Sequence, residues 1–150
     1  VTRRTATARQ APAPIPTTWE IVIEGRPVPL APRLPALMGI EKATGRTIYQ
    51  HVQRAAQRAT TMQELTVIVR FLAGSACPVE AIRGPAEING FAMPLDINDP
   101  KATAVVLRSG LIPCMVAVTL PLMAAVRGAI DEEGEFLPGW DRERLLAVKD

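Results

Sequence analysis

The apolar residues of this chain change their spacing once, near residue 31, and that change limits the fold more than any other feature. Between Trp19 and Leu30 they alternate: Trp19, Ile21 and Ile23 point one way with Glu20 and Glu24 opposite, and Val28 and Leu30 return in phase beyond Gly25–Arg26. A period of two is that of a strand with one buried face, so the stretch predicts a β-hairpin, its second strand marked as an edge by Pro27 and Pro29. From residue 32 the spacing becomes helical. Leu34, Leu37, Met38 and Glu41 follow an i, i+3, i+4, i+7 stripe; Ile48, Val52, Ala55, Ala56 and Ala59 form a second, and Leu65, Ile68, Val69 and Leu72 a third. The expected class is α+β and mostly helical, an N-terminal β-hairpin followed by four to five helices around one core.

Capping residues place the boundaries. Thr47 stands three residues before Gln50, a capping-box spacing; Thr61 and Glu64 repeat it, and Gly74 closes that helix. Asp99–Pro100 predicts an N-cap and first helical residue ahead of Ala102, Val105 and Val106. Residues 78–84 read as a short helical turn, and 84–98 as an irregular loop with a tight turn at Asn89–Gly90. Residues 109–126 carry no charge between Arg108 and Arg127. Their length approaches a bilayer span, but Pro113 and Pro121 interrupt them and Ser109, Gly110 and Thr119 dilute them, which favours a central buried helix over a membrane helix. Residues 1–18, with three arginines and three prolines, read as an extended or disordered arm; 19–130 form the globular hairpin-plus-helices domain; 131–150 form an acidic loop and a short terminal helix capped by Asp141.

Composition removes several classes of function. The six aromatic residues are scattered, which leaves no stacking surface for single-stranded nucleic acid. Residues 1–60 hold nine Lys/Arg against three Asp/Glu and residues 61–150 eight against twelve, an asymmetry suited to head-to-tail contact or an acidic partner more than to DNA. A helix-turn-helix over residues 47–74 would give its recognition helix one basic residue, Arg70, and a wide apolar face. Cys77 and Cys114 lie in apolar surroundings with one histidine, His51, in the whole chain, so the cysteines read as buried small hydrophobes and no Cys/His metal site is expected. No secretory leader is visible, since the arm lacks an apolar segment.

The stretch MGIEKATGRTIYQ, residues 38–50, carries the one echo of a catalytic motif. A phosphate loop needs two glycines with four residues between them, followed by Lys and Ser/Thr, because backbone amides cradle the phosphates while the lysine and hydroxyl reach outer oxygens and magnesium. Here five residues separate Gly39 from Gly45, Arg46 replaces the lysine, and a helical stripe precedes the motif where a strand is required. Gly45 instead ends one helix and Thr47 caps the next. His51, beside Gln50, Arg54 and Arg58, is expected on the polar side of its helix, with no nucleophile placed beside it by spacing. The carboxylates Asp131, Glu132, Glu133 and Glu135 read as a solvated loop, and Asp96 and Asp99 as turn and cap residues. Glu41 is the exception. A carboxylate in an apolar stripe needs a partner, which predicts contact with Arg46, Arg54, Arg58 or the free amides of the helix that Thr47 caps.

The order of parts is itself a signature: EGRPVPL in a hairpin, then LPALMGIEKATGRTIYQHV, a helix ending in FLAG, a loop, and a late apolar helix ending AAVRGAI. Over roughly residues 19–130 this resembles the gene-transfer-agent tail family, small proteins encoded between the tail-tube and tape-measure genes of long-tailed phages and gene transfer agents and labelled tail assembly chaperone or tail tube protein. The proline-rich arm, the 84–99 segment and the acidic extension depart from the family's pattern. The resemblance implies a non-catalytic tail assembly chaperone in the cytoplasm of a bacterial host, without cofactor, metal, specific nucleic acid or membrane. Its partners would be the tape-measure protein and tail tube subunits, with self-association through its charge-asymmetric ends. The alternative it carries is a structural tail or virion component, with a small membrane protein behind both. The family motif maps to Leu37, Glu41 and Gly45, joined by the capping pair Thr47 and Gln50.

Overall fold

The structure, a computed structural model, describes residues 19–147. The N-terminal arm expected over residues 1–18 lies outside them. The fold is α+β and mostly helical: β1 (Trp19–Ile23) and β2 (Arg26–Leu30) form an antiparallel hairpin, and six α-helices follow. These are α1 (Leu34–Thr44), α2 (Ile48–Ala56), α3 (Met62–Ala73), α4 (Pro100–Ser109), α5 (Leu111–Val126) and α6 (Arg142–Ala147). Between α3 and α4 lie a single 3-10 turn at Glu80–Ile82 and a second small hairpin, β3 (Glu87–Ile88) with β4 (Phe91–Ala92).

The first hairpin follows from its residues. Trp19, Ile21, Ile23, Val28 and Leu30 are all buried on one face. The turn falls one residue earlier than the alternation indicates, at Glu24–Gly25, where φ is 51° and 74°. Two positive φ values define a type I′ turn, whose twist matches that of the strands. Pro27 and Pro29 pair with Val22 and Glu20 at positions whose N–H groups would face away from β1, so proline costs the ladder no bond.

The helices enclose the hairpin's apolar face. α3 is the most enclosed of them, with Leu65, Thr66, Val67, Ile68, Val69, Phe71 and Leu72 all buried. α5 packs against α2, α3, α4 and β1 through Cys114, Met115, Val118 and Leu122. It is less central than its uncharged sequence implies, because Ile112 and Val116 remain 50% exposed. Gly110, with φ at 97°, divides α4 from α5, which are bent by 96°. A left-handed residue stops the first helix, and Pro113 crowds the site where a side chain would stand, so one continuous apolar stretch becomes two helices. Among the described residues no single helix is long and apolar enough to cross a membrane.

The chain after α5 turns back over the hairpin. Ile130 bridges Phe136, Phe136 meets Trp19 edge to face at 5.4 Å, and Leu145 of α6 is fully buried. Cys77 and Cys114 are buried free thiols, and burial pushes Cys114 up to about 11.

Two helical readings need correction. In α1 the period is right but the phase is wrong: Pro35, Ala36 and Ile40 are buried, whereas Leu34 and Met38 are 45% and 44% exposed and Glu41 faces solvent. The cause is Phe71 of α3. A Cβ on Gly39 would lie 2.3 Å from the Phe71 ring, so α1 must turn its small residues, Ala36 and Gly39, toward α3. In α2, Ile48, Val52 and Ala55 are buried as expected, but the helix stops at Ala56, and Ala56 and Ala59 are exposed.

Candidate partner-binding surface

The α1–α2 junction gathers most of the residues that the sequence singles out. Gly45 ends α1 in the left-handed conformation, with φ at 72° and its N–H donating to the Glu41 carbonyl at 2.9 Å. Thr47 starts α2 with a complete capping box. The Gln50 amide donates to Thr47 Oγ1 at 3.1 Å, and the Thr47 amide donates to Gln50 Oε1 at 2.9 Å. The Glu41 carboxylate accepts from the free Ile48 amide at 2.9 Å. Its partner is therefore the amide end of the next helix, where a negative charge also meets the helix dipole. Arg46 and Arg54 turn instead to Glu64 of α3, at 2.8 Å and 3.6 Å, and Arg58 donates to the Ala55 carbonyl. Glu41, Gly45, Thr47 and Gln50 thus build one corner. Leu37 stands apart, half-buried beside Leu34, Ala125 and Ile130.

His51 is the clearest departure from expectation. The surface histidine is fully buried, at 0% exposure. Ile48, His51, Val52 and Ala55 form an i, i+3, i+4, i+7 set, and this spacing in the sequence could have revealed the burial. His51 Nε2 lies 2.8 Å from Thr44 Oγ1, whose hydroxyl is already committed to the Ile40 carbonyl at 2.7 Å. The shared hydrogen must then come from the imidazole, which assigns the Nε2–H tautomer and leaves Nδ1 with a buried, unpartnered lone pair. The imidazole pKa is lowered, first by burial and then by Arg46 and Arg54, against opposing pulls from Glu64 and Glu41. With no accessible face, the ring is a packing and hydrogen-bonding element.

The carboxylates are held by local structure. Asp99 Oδ1 accepts from the amides of Lys101 and Ala102 at the start of α4, and Asp131 Oδ1 accepts from Glu133 and Glu135. Among the described residues no three His, Cys, Asp or Glu side chains converge on a metal position.

An open surface lies on the other side of α1. Residues 84–98, expected as an irregular loop, contain the β3–β4 hairpin, closed by Asn89–Gly90 with φ at 54° and 78°. Arg33 Nη1 at the start of α1 holds Glu87 Oε2 at 2.8 Å, and the Met93 amide donates to the Ala86 carbonyl at 2.9 Å. Between hairpin and helix runs an apolar groove. One part, about 330 Å³, is lined by Gly39, Ala43 and Phe71 against Ala92, Met93, Leu95 and Ile97; the other, about 370 Å³, by Pro35 and Met38 against Phe91. Lys42 borders both parts and makes no ion pair among the described residues. Met38, Phe91 and Met93 are exposed along it, Phe91 at 62%. The signal for this surface in the sequence was the mismatch between a small-residue face and a large-residue face on α1.

Comparison with known proteins returns no matching family model, no matching curated protein and no matching solved structure.

Proposed function

We propose that this chain is a non-catalytic binding protein of the tail assembly chaperone kind, whose α1/β3–β4 groove receives an amphipathic helix of a tape-measure protein. The observation that carries this reading is the inversion of α1: its larger apolar residues Leu34 and Met38 face outward instead of filling the core, and Met38 lines the groove with Phe91. Contiguous exposed apolar side chains are costly to leave in water and mark a surface that meets a partner. Methionines suit a groove that must accept successive, non-identical helical segments, since their unbranched chains repack easily. Lys42 at the border favours a helix carrying a carboxylate beside its apolar stripe. On this reading the protein acts in the host cytoplasm and uses no cofactor.

The test is co-purification. A tagged coiled-coil fragment of a tape-measure protein encoded beside this chain should retain it on an affinity resin. Its absence from the bound fraction, together with its abundance in purified particles, would replace the chaperone reading with that of a structural tail component.

A further inference from the structure

We infer that two copies of this chain associate through β1, edge to edge, to form a continuous four-stranded sheet. This lies beyond the binding function proposed above and uses none of the groove residues. The two-residue turn makes Ile23–Arg26, Ile21–Val28 and Trp19–Leu30 the hydrogen-bonded pairs of the hairpin. Glu20 and Val22 therefore direct their N–H and C=O groups away from β2, and those groups have no hydrogen-bond partner among the described residues. The opposite edge is closed, because Pro27 and Pro29 stand at its outward positions and have no N–H to donate. The sheet can grow only at β1.

The second copy is the occupant that fits this edge. An antiparallel pairing centred on Ile21 sets Glu20 of each copy against Val22 of the other. Each such pair exchanges two backbone hydrogen bonds, so the edge is complementary to itself about a two-fold axis. The same register brings Glu24 of one hairpin to the Trp19 end of the other β1. There Arg142 is held over the Trp19 ring at 5.9 Å, near the position that Glu24, paired within its own chain with Arg108 at 3.2 Å, would reach. A groove of about 410 Å³ runs along this side of β1, between Trp19 and Glu20 on one wall and Val116 and Leu120 on the other. Ile112, Val116 and Leu120 follow at helical spacing along α5, with Ile112 and Val116 half-exposed, so the helices beneath the joined sheet would bury these stripes against each other. Val22, 62% exposed, would gain a cross-strand neighbour.

Two variants separate this interface from the fold. Val22→Pro removes one outward donor at a site that costs the β1–β2 ladder nothing, as Pro27 does across from it. Val116→Glu places a charge in the half-exposed stripe, away from the strands. Sedimentation velocity of the full chain over a wide concentration range should show a dimer, with the Glu20 and Val22 amides slow to exchange only in the dimer. Each variant should sediment as a monomer with unchanged circular dichroism; if Val22→Pro unfolds, Val116→Glu alone decides. Three results would overturn the proposal: a wild-type monomer throughout, a dimer that survives the variants, or Glu20 and Val22 amides protected in the monomer. The last would assign the edge to the chain's own residues 1–18.

Discussion

Gly39 and His51 show how single residues set the geometry. Gly39 lies within α1, so its backbone would accept alanine, but the added methyl would overlap the Phe71 ring. Gly39→Ala should destabilise the protein by about 1–3 kcal/mol in urea unfolding, the range of overpacking, although alanine is the better helix former. Phe71→Leu should recover part of that loss. His51 sets a pH dependence. Its folded pKa is depressed below the ordinary value of 6.5, so the unfolded chain binds the proton first as pH falls. This contribution to stability is fully present above about pH 6.5 and is lost as pH drops through that value toward the folded pKa. Unfolding midpoints measured between pH 7.5 and about 5 should fall for the native chain, and His51→Gln should flatten that part of the decline. Glycine positions are visible in a sequence; what their missing side chain makes room for is not, because Phe71 is 32 residues away. His51 was readable in principle from its i, i+3, i+4, i+7 neighbours, but Gln50, Arg54 and Arg58 around it suggested a polar face.

At the scale of elements, local chemistry transferred from sequence to structure. Gly45, Thr47 and Gln50 take their expected roles because capping is decided within four residues and scarcely depends on the rest of the fold. The same holds for Thr61, Gly74 and Asp99. Thr47→Ala should cost about 1 kcal/mol, and Glu41→Ala a comparable amount, because each strands an amide at the start of α2. Equilibrium denaturation would measure both; a Glu41→Ala variant as stable as the native chain would deny its role at Ile48. Helix phase was less legible. Leu34, Leu37 and Met38 satisfy a helical stripe as well as Ala36, Gly39 and Ile40 do, and hydrophobicity alone favours the former. The choice was made by packing against α3, where small residues permit closer approach. The β3–β4 hairpin escaped notice except for its Asn-Gly turn, because two-residue strands carry no period.

For the whole molecule, the same inversion that hid the core face of α1 leaves apolar residues available outside. A core residue and a docking residue differ in what they do to stability, and this separates the two roles. Phe91→Asp should leave the unfolding midpoint almost unchanged, since the side chain is 62% exposed, while abolishing retention by a tape-measure fragment. The class of fold could be read from one change of period and a handful of caps. The binding surface could not, because it depends on which of two apolar faces the core takes.

The most direct measurement is a titration of the isotope-labelled chain with an amphipathic helical segment of the tape-measure protein, followed by amide chemical shifts. Saturable shifts are expected at Met38, Gly39, Lys42, Phe91 and Met93, which line the groove. Saturable binding with shifts confined to other faces, or no shifts at any ratio, would contradict this.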